Sequence, residues 1–342
     1  MRAHCLTATL LLLGFPTGIF AGENTPSPTN EKNGVEIARY DWTDAKRHRE
    51  VPVKIYYPKT GSGPFPVIIF SHGLGGTREG YEYLGQYWAG HGFVSVHPQH
   101  SGSDDSVWRG KGPGAAAFDM QKAIFDPSNL IQRPLDIRFV IDQVTRLNKE
   151  DPAFKGRLDL DHIGMAGHSY GGYTTMAVAG WVLTEASGFA MTDPRVKAAI
   201  PMSAPIPVRK DRLDEAFGNI AIPCLHMTGT EDFVMLLKTK AEDRRLAFDH
   251  INKADQYLLI FQDGDHMVFA GMKDLMGRRP KDPVFHELIL KSTTAFWNAY
   301  LNGDASEKAW LADGDFKKAL GANGTFEKKI PGKVDANPSQ RR

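Results

Sequence analysis

The sequence is nearly free of cysteine. Its 342 residues contain two, Cys5 and Cys224. Cys5 sits in an N-terminal segment expected to be removed, so Cys224 stands alone and an internal disulfide framework is excluded. With Ala221, Ile222, Pro223 and Leu225 as neighbours, that thiol reads as a buried hydrophobe rather than a nucleophile. Excess charge of either sign is also missing. There are 41 Lys+Arg against 40 Asp+Glu, a net charge of +1, which argues against a nucleic-acid partner held by phosphate neutralisation. After the first twenty residues no apolar run reaches the length of a transmembrane span, so no membrane-spanning segment is expected in the mature chain. A dinucleotide fingerprint is lacking, and no His, Cys, Asp or Glu grouping has metal-ligand spacing; His97, His100, Asp104 and Asp105 read as a polar loop. No cofactor and no metal are expected. Hydrophobic residues at 42% and charged residues at 24% are ordinary globular proportions, which exclude disorder, coiled coil and collagen.

At the N-terminus, Arg2 and His4 precede an apolar run from Leu6 to Phe20, with a cleavage position after Ala21. This is the pattern of an export signal over residues 1–21, and it predicts a secreted or periplasmic protein. Gly14, Pro16 and Gly18 interrupt the run and argue against a membrane anchor. Residues 22–34 are polar and rich in Pro, Asn and Gly, and read as a flexible leader; 331–342 read as a flexible tail. Between them, 35–330 show no repeat and no mid-chain break, which predicts one domain.

Within that domain strands and helices alternate. Val35–Trp42 and Pro52–Tyr57 predict a hairpin, and the PVIIF run Pro66–Phe70 predicts a strand covered on both faces. Further strands are predicted at Phe93–His97, Asp161–Ala166, Val196–Pro201, Ile220–Met227 and Gln256–Phe261. Helices are predicted at Tyr81–His91, Leu130–Leu147, Tyr170–Trp181, Lys238–His250 and Pro283–Leu301. This order gives an α/β class: a mostly parallel central sheet with an antiparallel N-terminal edge and helices on both faces. Reactive groups in such sheets lie beyond the carboxyl ends of the strands.

Gly167-His168-Ser169-Tyr170-Gly171 lies between a predicted strand and a predicted helix. A G-x-S-x-G in that setting makes a sharp turn that lifts the serine hydroxyl out of the sheet, and its glycines allow the backbones to approach closely. A serine needs a base to take its proton. Asp232 and His266 each follow a predicted strand, and the order Ser169, Asp232, His266 suits a triad on this class of sheet. Glu231 is the alternative acid; His250 and His286 are the other histidines after Asp232, and both fall in predicted helices. After the PVIIF strand comes Ser71-His72-Gly73-Leu74-Gly75-Gly76, a loop with little side-chain bulk. No lysine precedes Thr77, so it is not a phosphate loop. The backbone amides of Leu74 and Tyr170 are the expected oxyanion donors. His72, His168 and Trp108 are expected to line the substrate pocket, Trp108 from a long connection at 100–129.

SHGLGG (71–76), GHSYGG (167–172), RPLDIRFVID (133–142) and TTAFWNAYL (293–301) together resemble the α/β-hydrolase superfamily, in the branch of platelet-activating-factor acetylhydrolases and dienelactone-hydrolase-like proteins. The resemblance covers residues 35–302. WAGHGFVSV (88–96) and VKAAIPMSAP (196–205) are similar to secreted polyester hydrolases and cutinases, although the stretch 182–194 is longer here and their paired C-terminal cysteines are missing. The resemblance implies Ser169 as nucleophile, Asp232 as acid, His266 as base and the Leu74 and Tyr170 amides as oxyanion donors. It implies a secreted serine hydrolase of carboxylic esters with a small-molecule or polymeric ester substrate. A polyester hydrolase and a non-catalytic binding protein that keeps the fold are the alternatives.

Overall fold

A computed structural model of the chain describes residues 34–331 except 183–190, 208, 235–238 and 272–279. The export signal 1–21, the leader apart from Gly34 and the tail apart from Pro331 lie outside the described residues. β1 (Val35–Asp44) and β2 (Arg49–Pro58) form an antiparallel hairpin. β3 (Phe65–Ser71), α1 (Glu82–Gly90), β4 (Val94–Pro98), α2 (Pro113–Phe125), α3 (Pro127–Glu150), β5 (Leu158–His168), α4 (Tyr170–Ala179) and β6 (Val196–Met202) follow. After them come α5 (Leu213–Phe217), β7 (Cys224–Glu231), α6 (Leu246–His250), β8 (Gln256–Asp265), α7 (Asp282–Leu301), α8 (Ala305–Ala312), α9 (Asp315–Leu320) and β9 (Gly324–Lys329). The sheet order is β1-β2-β4-β3-β5-β6-β7-β8-β9. Strands from β4 through β8 pair in parallel; β1, β2 and β9 make antiparallel edges.

The PVIIF run explains how the sheet is covered. Alternate residues of a strand face opposite ways. Ile68 and Phe70 pack with Trp88 of α1 and with Phe296 and Trp297 of α7. Val67 and Ile69 pack with Ile137, Val140, Ile141 and Val144 of α3. A third apolar group, centred on Tyr173, Met176 and Trp181, joins α4 to α5 and α6.

Several elements differ from the sequence expectation. β9 presents only one apolar core residue, Phe326, and gains its pairing from the β8 edge. α2 lies in what reads as an irregular connection, because it buries only Ala116 and Ala123 and so has no apolar stripe. β7 begins at Cys224, beyond the Pro223 that removes a ladder donor. In place of a helix over 238–250, the described residues form a 3₁₀ turn, Ala241–Arg245, followed by α6. That turn sends Arg244 inward. α3 also departs from a plain amphipathic helix: its N-terminal half buries Arg133 and Asp136, while Ile131 is exposed. Pro134 lies inside α3 and cannot donate to the carbonyl of Leu130. The Tyr173 hydroxyl donates to that carbonyl instead, at 2.7 Å.

Cys224 is fully buried, and burial pushes its thiol up to about 12. The native protein is therefore expected to ignore a thiol reagent at pH 8 and to keep its activity; rapid modification without unfolding would contradict this burial.

Candidate active site

Parallel pairing brings four strand ends into line. His168 pairs with Met202 and Glu231 with Asp265. The next residues along these strands are Ser169, Ser203, Asp232 and His266, so they emerge side by side at the carboxyl edge. Ser169 occupies the turn between β5 and α4 with φ +54° and ψ −115°, a backbone strain of the kind stored at reactive sites. A Cβ on Gly171 would overlap the Ser71 carbonyl, and one on Gly167 would overlap the Gly171 carbonyl. Only glycine permits this elbow to sit so close to β3.

Ser169 Oγ lies 2.8 Å from His266 Nε2, and His266 Nδ1 lies 2.7 Å from Asp232 Oδ1. Asp232 is fully buried. Its Oδ2 accepts from the hydroxyls of Ser203 and Thr228, the latter at 2.8 Å. Arg244 Nε lies 2.9 Å from Oδ1, and Arg244 Nη1 donates to the carbonyls of Ser203 (2.7 Å) and Ala204 (2.8 Å). Burial alone would raise the Asp232 carboxyl, but the bond to His266 and the charge of Arg244 outweigh it and hold it at about 2. Arg244 Nη2 is 3.4 Å from His266 Nδ1. Nδ1 already gives its proton to Asp232, so these two donors oppose each other and Arg244 serves the carboxylate. Glu231, the alternative acid, is exposed.

The glycine loop lies against the elbow. A Cβ on Gly73 would stand 3.5 Å from Ser169 Cβ, so the loop that carries Leu74 runs beside Ser169. The Gly75 amide donates to the Ser103 carbonyl at 2.9 Å and fixes the far side of the loop. The cleft at Ser169 and His266 has a volume of about 640 Å³. Tyr170, Tyr173, Trp181 and Phe125 are among its walls, together with Arg209 and Arg212.

The three residues expected to line the pocket do other work. Trp108 is 39% exposed, donates its indole N–H to the Gly75 carbonyl at 2.7 Å, and is absent from the cleft wall. His72 is buried: Nδ1–H donates to the Gly73 carbonyl at 2.7 Å and Nε2 accepts from the His100 amide at 3.0 Å. His168 is buried too. Its Nε2–H donates to the His266 carbonyl (2.8 Å), so Nδ1 accepts from the Tyr81 hydroxyl (2.8 Å), which in turn accepts from the Gly73 amide (3.3 Å). This chain ties the glycine loop, the elbow and the His266 loop together. A histidine with both nitrogens bonded in the interior offers nothing to a ligand, which is why these two leave the pocket.

The sequence reading missed Arg244, Tyr81 and a second Ser-His-Asp arrangement. Ser71 Oγ lies 2.9 Å from His100 Nε2, and His100 Nδ1 lies 3.0 Å from Asp136 Oδ2, all three fully buried. Arg133 donates to Ser71 Oγ at 2.9 Å. The only available signals were polar residues on the inward face of α3, where the periodicity expects apolar ones. Among the described residues no cluster of His, Cys, Asp and Glu could hold a metal, and no helix is long and apolar enough to cross a membrane.

Burial depresses His97 and His168 to about 3, His100 and His226 to about 4, and His72 well below its usual range. These imidazoles stay neutral in the fold while the unfolded chain takes up protons below about pH 6.5. Their contribution is therefore intact above that pH and is lost as pH falls from about 6.5 toward 4. The melting temperature is expected to drop steadily between pH 7 and pH 4.5. A flat profile across that range would contradict the buried, neutral state.

A doubly edged parallel sheet, a strained serine elbow and an Asp-His chain at its carboxyl end define an α/β-hydrolase. Residues 52–280 match the model of the PET hydrolase-like family. The chain belongs to that family of ester hydrolases. It is also similar to the platelet-activating factor acetylhydrolase of Cavia porcellus, 27% identical over 37% of this chain and 34% of the relative. The corresponding protein of Canis lupus familiaris is 29% identical over 33% of this chain and 31% of the relative. The chain thus matches about a third of the length of these curated relatives.

Proposed function

We propose that the protein is an exported serine esterase that cleaves carboxylic esters through an acyl-enzyme on Ser169. The observation that carries this reading is the continuous chain Ser169 Oγ, His266 and Asp232 at 2.8 and 2.7 Å, open to a large apolar cleft. Ser169 Oγ attacks the ester carbonyl while His266 Nε2 takes its proton. The carbonyl oxygen becomes an oxyanion, held by the amides of Leu74 and Tyr170. His266 returns the proton to the departing alcohol as the C–O bond breaks. Water, deprotonated by the same imidazole, then releases the acid. Asp232 keeps Nδ1 protonated and offsets the charge that His266 gains. No cofactor enters this sequence.

The apolar cleft walls support an acyl or aryl body of modest size. Polyester chains are the second reading, favoured by the match to the PET hydrolase-like family over residues 52–280. The N-terminal pattern at 1–21 supports export, which N-terminal sequencing of protein recovered outside the cytoplasm would test. The function is tested with a fluorophosphonate probe and a panel of short p-nitrophenyl esters, acetyl phospholipids and polyester oligomers. Labelling that maps to Ser169, with ester turnover, is expected. A folded protein that takes no label and turns over no ester would favour the binding-protein alternative.

A further inference from the structure

We propose that Arg133 is a positioning residue for the oxyanion loop, held in place by the buried series Asp136, His100 and Ser71. This rests on Ser169 being the nucleophile. Arg133 lies wholly inside the protein and reaches both segments that carry the expected oxyanion amides. Its Nη2 donates to the His72 carbonyl, two residues before Leu74, and to Ser71 Oγ at the end of β3. Its Nε donates to Thr174 Oγ1 at 2.9 Å, one turn into α4, and Nη1 donates to Ser103 Oγ at 2.9 Å. The guanidinium also stacks over the ring of Tyr170, 4.6 Å from its centroid. One rigid planar group thus spaces the glycine loop from the helix that opens at Tyr170.

The series behind it has a fixed direction. Asp136 is ionised, kept at about 2 although burial opposes this, because His100 and Arg49 bond to it. Arg49 grips it with Nε at 2.7 Å and Nη2 at 2.9 Å, and Arg47 adds a third contact at 2.8 Å. A carboxylate can only accept, so His100 Nδ1 carries a proton and Nε2 does not. Ser71 therefore gives its O–H to Nε2 and receives an N–H from Arg133. Ser71 is not a second nucleophile. It has no exposed surface, its proton is engaged, and its oxygen already accepts from a cation.

Burial lowers Arg133 to about 10, so it remains charged at neutral pH. All its hydrogen-bond acceptors found here are neutral oxygens. Asp136 also acts on it through space, but that carboxylate is already paired with Arg47 and Arg49, so the interior cation keeps a positive potential at its surroundings. A neutral ester gains little from that potential, whereas an oxyanion between Leu74 and Tyr170 gains more. The position and the charge of Arg133 should both act on the transition state rather than on substrate binding.

The test compares full-length wild type with Arg133→Met, Arg133→Lys and Ser71→Ala. The readouts are kcat and KM on a short p-nitrophenyl ester and affinity for a boronic acid that forms a tetrahedral adduct on Ser169. Arg133→Met is expected to lose about 10²-fold in kcat, the scale of one oxyanion donor, with KM changed by no more than about twofold. Boronate affinity should fall by a similar factor, and Arg133→Lys, which keeps the charge, should recover part of the loss. Ser71→Ala should show the same split on a smaller scale. If Arg133→Met does not fold, Ser71→Ala carries the test. A changed KM with unchanged kcat, or intact boronate binding, would overturn the proposal in either variant. An active wild type with these outcomes rejects Arg133 alone; a wild type that neither turns over ester nor takes the fluorophosphonate rejects the Ser169 reading and this proposal with it.

Discussion

Ser169→Ala is expected to lower kcat on a short ester by a factor of about 10⁶, with KM nearly unchanged. The size follows from what the hydroxyl does. In the proposed mechanism it supplies the bond-forming oxygen, and among the described residues it is the hydroxyl in bonding contact with His266 Nε2. Without it, catalysis falls to what oxyanion donors and binding give to direct attack by water, which is about 10³–10⁴ over the uncatalysed rate. Ser203 also borders the cleft, but its hydroxyl is donated to the Asp232 carboxylate, and His266 Nε2 bonds to Ser169 instead. It should not substitute. Progress curves with purified variant, at enough protein to see 10⁻⁵ of wild-type turnover, decide the matter. Activity above about one hundredth of wild type would remove Ser169 from the mechanism.

Asp232→Asn should cost on the order of 10³–10⁴ in kcat. The route to that loss differs from simple tautomer reversal. Oδ1 accepts from both His266 and Arg244, whereas Oδ2 faces two hydroxyls that can turn and accept. The amide is therefore expected to keep its oxygen at the Oδ1 place and its nitrogen toward Ser203 and Thr228. The imidazole keeps its proton at Nδ1, and what disappears is the negative charge. Arg244, almost wholly buried, is then left beside His266 without a counter-ion. A second cation forming on the imidazole is opposed rather than stabilised. A double variant, Asp232→Asn with Arg244→Met, should regain part of the lost rate. An additive or larger loss in the double variant would show that Arg244 does not act through this carboxylate.

Much of this site could be read from the sequence because its markers are local. A strand, a glycine-flanked serine and a helix need only consecutive residues to be recognised, and Ser169 lies where that pattern puts it. Asp232 and His266 each follow a strand, and the pairing of Glu231 with Asp265 brings them together. The glycine loop after β3 was legible for the same reason. What escaped depends on distant partners. Arg133 and Asp136 occupy helix positions that periodicity assigns to apolar side chains, and their use becomes clear only when Ser71, His100 and Thr174 are alongside. Arg244 sits in a charged stretch that reads as a solvated helix. His72 and His168 stand next to the glycine loop and the elbow in sequence, but a side chain beside a sharp backbone turn points elsewhere, and both rings are spent on interior hydrogen bonds. β9 escaped because its stability comes from the β8 edge and not from its own pattern.

Pro134 has a consequence for the cleft wall. A ring that lacks an amide hydrogen leaves one oxygen of α3 spare, and Tyr173 of α4 fills the gap. Leu130 and Tyr173 both face the cleft. The bridge between them sets the gauge of that wall, as a tie-rod sets the separation of two beams. The rigidity of this part of the cleft thus traces back to an imino acid one turn away in the helix behind it.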